Sequence, residues 1–372
     1  MVKCKNMEKR RTILEGKVKK IIITTGGTGG HIYPALAVAE EFKRRGIEVV
    51  FVGSKTRMEK TIVPNAGYKF IGLNVLPSRK VINIFKFILE IVKAIKIVIQ
   101  ERPDAILGFG NYISVPILTA GFLLRKTLYL QEQNSNIGVT NKIFYRVSKK
   151  LFLAFEETLK ELPTKDLEKF IVTGNPLRKE IENIDRNEIR QKLKIKDEEK
   201  VLLITGGSLG AQDINQAILE YWPKLEAVKN LKIYWATGSK NYEEISSKLN
   251  KLEIKNVVEP YFENMIEIMA IADLVLSRAG ALTISEIIQL EKPSILIPYD
   301  SIKVGQYGNA KILEEISGAY VYNNKEVKIA VEKIIEIINC KETLNSLSEQ
   351  VKSLKKGNAA SEIVDYITEI KI

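Results

Sequence analysis

Twice in this chain a run of buried-strand character ends in Thr-Gly-Gly and gives way to a helix. KKIIITTGGTGGH at residues 19–31 is echoed by KVLLITGGSLGAQ at 200–212. Around each copy, strand-like runs alternate with segments of helical length and period. IIITT, EVVFVG, AILGFG, TLYLQ, KLFLAF and FIVTG are the strand candidates of the first half. VLLITGG, LKIYWATG, VVEPY, LVLSRAG and SILIPY are those of the second. This alternation predicts an α/β fold, a mostly parallel sheet covered by helices on both faces. The restart predicts two Rossmann-like domains in tandem rather than one large sheet, and 372 residues suffice for both. The boundary is expected near GNPLRKEIENID, residues 174–185. That gives a basic tail over 1–17, a first domain over 18–178 and a second over 179–372, with the terminal helix free to return to the first domain. From about residue 342 the pattern is helical and rich in Lys, Glu and Ser.

Composition narrows the class of partner. The chain is 45% apolar and 27% charged, ordinary for a soluble globular protein. Its net charge of +12 favours anionic partners: nucleic acid, an acidic membrane surface or phosphorylated substrates. The two cysteines, Cys4 and Cys340, cannot form a disulfide framework, which points to a reducing compartment. The first twenty residues hold eight basic and two acidic side chains. They lack an apolar core with a small-residue cleavage site, so no secretory signal is expected. No uncharged apolar run is long enough to span a bilayer.

The segment VINIFKFILEIVKAIKIVI, residues 81–99, is apolar at fourteen of nineteen positions. Asn83, Lys86, Glu90, Lys93 and Gln100 recur at intervals of three, four, three and seven, leaving one narrow polar stripe. A helix that packs on one sheet needs a narrower apolar face. Either the helix is buried between elements, or its surplus apolar area rests on a membrane beside the nearby lysines. ISVPILTAGFLLRK, residues 113–126, could belong to the same patch.

The chemistry concentrates at glycine corners. His31, the single histidine, falls where the first strand becomes a helix, expected over Pro34–Phe42. Open α/β sheets place ligands outside the carboxyl ends of their strands, and histidine is suited to proton transfer near neutral pH. A lone histidine there could also merely cap the helix. Gly26 to Gly30 do not match the spaced glycines of the dinucleotide fingerprint. Two further corners follow VLLIT (Gly206, Gly207, Ser208, Gly210) and DLVLS (Arg278, Ala279, Gly280, Ala281). Glycines allow close backbone approach, and a helix N-terminus offers free N–H groups to an anion. Three such corners suggest a diphosphate compound in an interdomain cleft. Arg278 could add charge there or pair with a carboxylate. Glu286, five residues beyond Ala281, could accept from ribose hydroxyls or stand as a solvated helix residue. There is no Asp-x-Asp, Walker A motif, CxxC pair or second histidine. No cofactor and no metal are expected, so a leaving diphosphate would be neutralised by helix dipoles and arginines.

GGTGGHIYPALAVAEE, QEQNSNIGVTNK, GNPLR, GGSLGAQDIN, SRAGALTISE and GQYGNA occur in order from about residue 19 onward. With these motifs the chain resembles the MurG family, bacterial transferases of N-acetylglucosamine from UDP to lipid I in peptidoglycan synthesis. The resemblance implies the GT-B fold, two Rossmann-like domains with the active site in the cleft between them. It implies UDP-N-acetylglucosamine and lipid I as substrates, an inverting transfer to the C4 hydroxyl of the muramyl sugar, and lipid II as product. His31 would be the general base. Thr28, Gly29 and Gly30 would face the diphosphates. Ser208 and its glycines would border the nucleotide, with Arg178 reaching it from the domain junction. The Tyr261–Phe262 backbone would meet the uracil edge. Ala281, Leu282 and Thr283 would give N–H groups to the diphosphate, in a turn continuing through Ile284 and Ser285 to Glu286 at the ribose. Asn134 and Gln306 would contact the sugar.

The chain departs from the family at several positions. His-Glu-Gln-Asn reads Gln131-Glu132-Gln133-Asn134, which removes a second base candidate. GGSQGA reads with Leu209 in place of glutamine, Gly-Gly-Tyr reads Gly110-Asn111-Tyr112, and an acidic residue shortly before Gln306 is missing. Because lipid I stays in its membrane, the resemblance also implies peripheral docking on the anionic cytoplasmic face of the bacterial cell membrane, with residues 81–99 and 113–126 as candidates. Proteins of cell-wall synthesis are further partners it allows. An epimerase acting on UDP-N-acetylglucosamine would share the architecture. A nucleic-acid-binding role is disfavoured by the lack of aromatic-basic clusters.

Overall fold

The computed structural model describes residues 18–75, 81–207, 210–249, 256–301 and 305–369; within it, the side chains of 81–86 are outside the description. The basic tail, Ser208 and Leu209 therefore lie outside the described residues. The chain divides into two compact units. One runs to Arg178 and takes up the chain again from Gly357; the other is Lys179–Lys356.

The first unit is built on seven parallel strands. These are β1 (Lys20–Thr24), β2 (Glu48–Ser54), β3 (Lys69–Leu73), β4 (Ala105–Gly108), β5 (Thr127–Glu132), β6 (Lys150–Leu153) and β7 (Phe170–Val172). Their order across the sheet is β3-β2-β1-β4-β5-β6-β7. The second unit has β8 (Lys200–Thr205), β9 (Leu231–Ala236), β10 (Val257–Glu259), β11 (Leu274–Ser277), β12 (Ser294–Leu296) and β13 (Ala319–Val321). Their order, β10-β9-β8-β11-β12-β13, repeats the same winding. All pairings are parallel, as the strand-and-helix alternation predicts.

Strand alternation explains the two-sided core. Ile22 packs into one apolar cluster, while its neighbours Ile21 and Ile23 enter another on the opposite face. The first cluster includes residues of the helices Val81–Glu101 and Val115–Leu123, and the second those of Gly29–Arg44 and Ala359–Thr368. The last helix is held in the first unit by Arg45, which donates to Asp365 and, at 2.9 Å, to Ser361 Oγ. In the second unit, Trp222 and Trp235 stack with centroids 5.9 Å apart in a cluster fed by the helices Gln212–Glu226 and Val327–Ile337.

Two strands escape the sequence reading, β3 and β13. Both are edge strands with half-exposed faces, and each is a short signal: β3 is interrupted by Gly72, and β13 is three residues long. The helix after β1 also differs from expectation. It starts at Gly29 rather than at Pro34, with Thr28 as its N-cap. Pro34 lies inside this helix and has no N–H for the Gly30 carbonyl, while Thr25 Oγ1 donates to the His31 carbonyl at 2.8 Å, tying the opening turn to the strand end.

Candidate active site

In each unit the strand order reverses at one place, between β1 and β4 and between β8 and β11. A crevice opens at the carboxyl ends of the strands at such a switch point. The glycine corners singled out in the sequence leave β1, β8 and β11, so all three stand at a switch point.

The corner after β1 is braced from beneath. Gly27 has φ +91°, and a Cβ there would lie 2.5 Å from Asn111 Nδ2. Its N–H donates to Glu59 Oε2 at 3.1 Å, while Ser54 N–H donates to Glu59 Oε1 at 2.8 Å. Glu59 is fully buried and acts as a post under the loop. Asn111, from the loop after β4, donates from Nδ2 to the Gly26 carbonyl at 3.0 Å. Its φ of +65° comes with ψ 149°, outside the left-handed helical well and in a region that favours glycine, so the bonds it makes at this corner hold a strained backbone.

His31 sits in the first turn of the helix above this loop and is partly exposed. Its Nδ1 lies 2.7 Å from Gln133 Oε1. Desolvation pushes the imidazole below its ordinary pKa, opposed by the charge of Glu132 and by the Gln133 bond. The ring is therefore neutral at pH 7, the state a general base needs. Thr28 is exposed, and Gly29 and Gly30 follow it as the first two helical residues. Their N–H groups have no partner within the helix, which gives that end its positive potential.

The end of β5 supplies the other wall. Glu132 is buried and accepts four bonds: from Gly138 N (2.8 Å), Asn141 Nδ2 (2.9 Å), Asn134 N (3.1 Å) and Asn134 Nδ2 (3.3 Å). Asn134, a predicted sugar contact, thus has its amide turned onto Glu132, and its carbonyl accepts from Thr158 Oγ1 at 3.2 Å. Arg178 stacks over Tyr33, 4.6 Å from the ring centroid, two residues beyond His31. A stacked guanidinium keeps its edge donors for an anion.

In the second unit, Gly210 has φ +74°, and a Cβ would meet the Thr237 carbonyl at 2.3 Å; only glycine fits. The helix Ala281–Gln289 has Gly280 as N-cap. Ala281, Leu282 and Thr283 are partly exposed, and Ile284 N–H makes the first intrahelical bond, to the Gly280 carbonyl at 2.9 Å. The three N–H groups ahead of it are the ones this end can offer. Ile284 is fully buried, and Ser285 bonds the Ala281 carbonyl from Oγ at 3.0 Å, so these two side chains hold the turn from inside. Glu286 is partly exposed one position further on. Phe262 is buried edge-on to Tyr234, leaving its backbone as the part that can meet a base. Gln306 opens the helix Gln306–Glu315, and its Oε1 accepts from Tyr299 N–H at 2.8 Å.

Of the two readings of Arg278, pairing prevails. Its Nη2 reaches both Asp213 carboxylate oxygens, at 2.5 and 2.7 Å, and Nη1 donates to Asn324 Oδ1 (2.6 Å) and the Ile297 carbonyl (3.0 Å). The arginine clamps the corner after β11 to the first turn of the helix after β8. Glu59, Glu132 and Gln133 were not singled out by the sequence reading. Glu132 and Gln133 lie inside the quoted QEQN motif, and that signal could have flagged them.

On the helix Val81–Glu101 one position of the polar stripe differs from expectation. Glu90, placed in the polar stripe, is buried, accepting from Asn74 N–H at 2.9 Å and pairing with Lys93 at 2.6 Å. Ile88, Leu89, Val92 and Ile99 are exposed instead, as are Phe122 and Leu123 on the adjoining helix. Phe87 packs against the core.

Residues 21–153 match the glycosyltransferase family 28 N-terminal domain, and residues 201–366 match its C-terminal domain. A protein of Fusobacterium nucleatum named UDP-N-acetylglucosamine–N-acetylmuramyl-(pentapeptide) pyrophosphoryl-undecaprenol N-acetylglucosamine transferase is 55% identical over 94% of this chain and 97% of its own. The crystal structure of Acinetobacter baumannii MurG superposes with a TM-score of 0.76 at 26% identity, covering 95% of this chain and all of that one. A UDP-GlcNAc 2-epimerase from Neisseria meningitidis matches with a TM-score of 0.65 at 16% identity over 95% of this chain and all of that one, a likeness of fold alone.

Proposed function

The chain belongs to glycosyltransferase family 28, and from that premise we infer that it is a MurG-type enzyme, moving N-acetylglucosamine from UDP-N-acetylglucosamine to lipid I. It is a hexosyltransferase of peptidoglycan synthesis, a step of cell-wall biogenesis that bears on cell shape and division. One observation carries this reading: 55% identity to a transferase of that name over nearly the whole of both chains. The epimerase alternative rests on likeness of fold only.

Within this reading the two units divide the work. The second unit takes the donor: Ala281, Leu282 and Thr283 present N–H groups to the diphosphate, Glu286 accepts from the ribose, the backbone at Phe262 meets the uracil, and Gln306 contacts the sugar. Ser208, outside the described residues, would border the nucleotide. The first unit takes the acceptor, with Thr28, Gly29 and Gly30 adding positive potential for diphosphate; of its residues, Arg178 serves the nucleotide and Asn134, like Gln306, the donor sugar. His31 Nε2 takes the proton of the C4 hydroxyl as that oxygen attacks the anomeric carbon. The bond from that carbon to the diphosphate oxygen breaks with inversion, UDP leaves with the electron pair, and lipid II forms. A base of this kind contributes about 10²- to 10⁴-fold.

No described helix is long and apolar enough to cross a membrane. The acceptor is a polyprenyl lipid, so the enzyme docks on an anionic membrane surface through the exposed Ile88, Leu89, Phe122 and Leu123, with Lys93, Lys96 and Arg125 exposed on the same two helices and the turn that follows. Each basic group near such a surface is worth about 1 kcal/mol. The deciding assay measures UDP release from UDP-N-acetylglucosamine with and without a lipid I analogue. Release that depends on acceptor is expected; release or sugar isomerisation without acceptor would overturn the assignment.

A further inference from the structure

A neutral imidazole carries one proton and two candidate seats for it. Only the nitrogen without the proton can act as a base. The surroundings of His31 settle the seat through a chain of amides at the end of β5 and the start of the loop beyond it.

Gln133 is buried, and its Nε2 donates to the Phe109 carbonyl (3.3 Å), the Gln131 carbonyl (3.4 Å) and Gln131 Oε1. Two of these acceptors are main-chain carbonyls and cannot exchange roles. Turning the Gln133 amide over would set its oxygen against three oxygens, so the NH2 group stays where it is and Oε1 faces His31. Gln131 is held the same way: its Nε2 donates to the Glu132 carbonyl and to Asn175 Oδ1, each at 3.1 Å. Asn175 Nδ2 closes the chain on the Gln133 carbonyl at 3.0 Å. An oxygen 2.7 Å from Nδ1 requires the proton on Nδ1. Nε2 is then the ring nitrogen that keeps its lone pair.

We propose that Gln133 is a positioning residue for the transfer, holding the single histidine in the Nδ1–H tautomer so that Nε2 is the base. The proposal rests on the reading of His31 as base for its catalytic consequence, but the tautomer itself does not depend on it. Gln131, which stands where the family commonly has histidine, serves this chain as one more acceptor for the Gln133 amide. The charged groups that bear on the ring are Glu132 and Glu59, both favouring its protonation, and the Phe109 carbonyl is a further hydrogen-bond acceptor for the ring. The bond at 2.7 Å is the one Gln133 Oε1 makes at Nδ1.

A chain with one histidine allows a direct test. Long-range 1H–15N correlation on the full chain labelled at histidine nitrogen reports which ring nitrogen bears the proton. The wild type at pH 8 is expected to show the Nδ1–H form. Gln133→Met should shift it toward a mixture or the Nε2–H form and lower kcat about tenfold with little change in KM for the donor, because a wrong tautomer removes base without removing binding. Gln131→Leu should keep the Nδ1–H form, since the two main-chain carbonyls still orient Gln133; it also serves if Gln133→Met fails to fold. An Nε2–H signal in the wild type, or an unchanged Nδ1–H signal in folded Gln133→Met, overturns the proposal. A tautomer that changes while kcat does not would leave Gln133 as the residue that sets the proton and would overturn the base role of His31.

Discussion

The corners after β1 and after β11 both turn a buried strand into a helix through glycine, yet they are built on opposite plans. The first is braced by side chains: Glu59 holds the loop from below, Asn111 from the side, and Gln133 holds the histidine above it. The second presents main chain. Its helix start offers the N–H groups of Ala281, Leu282 and Thr283, while Arg278, in the same corner, is committed to Asp213 and Asn324. A corner that must move a proton needs a titratable group with a fixed tautomer, which takes a shell of oriented side chains. A corner that must hold a diphosphate needs only N–H groups and positive potential, which any helix start supplies.

Crossing one variant from each corner is the strongest way to break this comparison. His31→Ala is expected to lower kcat by about 10²- to 10⁴-fold with UDP binding retained. Glu286→Ala should instead raise KM for UDP-N-acetylglucosamine about tenfold with a smaller change in kcat, as one charge-assisted hydrogen bond to ribose is worth about 1.5–3 kcal/mol. Titration calorimetry with UDP beside steady-state kinetics reads both. If His31→Ala loses UDP binding as fully as turnover, the two corners share one role.

Next in size is the arginine clamp, which tests whether Arg278 is architecture or charge for the ligand. Arg278→Ala leaves Asp213, partly exposed at the surface, without its bidentate partner. A loss of about 1–3 kcal/mol is expected, less than for a wholly buried pair. Arg278→Lys should recover little of it, because one ammonium cannot reach Asp213 and, on the other side, Asn324 and the Ile297 carbonyl together. Thermal denaturation without and with UDP reads the difference. Unchanged melting with weakened UDP binding would return Arg278 to the phosphate.

The sequence shows some of this plainly and hides the rest for physical reasons. Buried parallel strands such as β1 and β8 declare themselves as apolar runs because both their faces are covered; β3, interrupted by Gly72, and β13, three residues long, do not. Glycine corners at the switch points are legible because a turn without Cβ has few substitutes, as Gly210 against the Thr237 carbonyl shows. The partners of the site are not legible. Asp213 and Arg278 meet across 65 residues, and Gln133 meets His31 across 102. No local period records such a pair. Glu90 shows the same limit within a single helix: its place in a polar stripe predicts solvent, but the Asn74 N–H draws it inward.

The smallest expected effect concerns the histidine alone. Burial holds the folded-state pKa of His31 below its ordinary value near 6.5, whereas in the unfolded chain it titrates near that value. Between the two, the unfolded state binds the proton and the folded state does not. Stability from this group is therefore fully present above about pH 6.5 and is lost as pH falls toward the folded-state pKa, by at most about 1.4 kcal/mol per pH unit of that window. Subtracting the pH dependence of His31→Ala from that of the wild type isolates the term, because the chain has no other histidine. The acidic limb of kcat/KM should fall in the same window, below pH 6.5, because the base is lost only when the folded-state ring takes its proton. A limb above pH 6.5 would mean that Glu132 and Glu59 outweigh burial. The histidine would then stand protonated at the pH where the transfer needs a base.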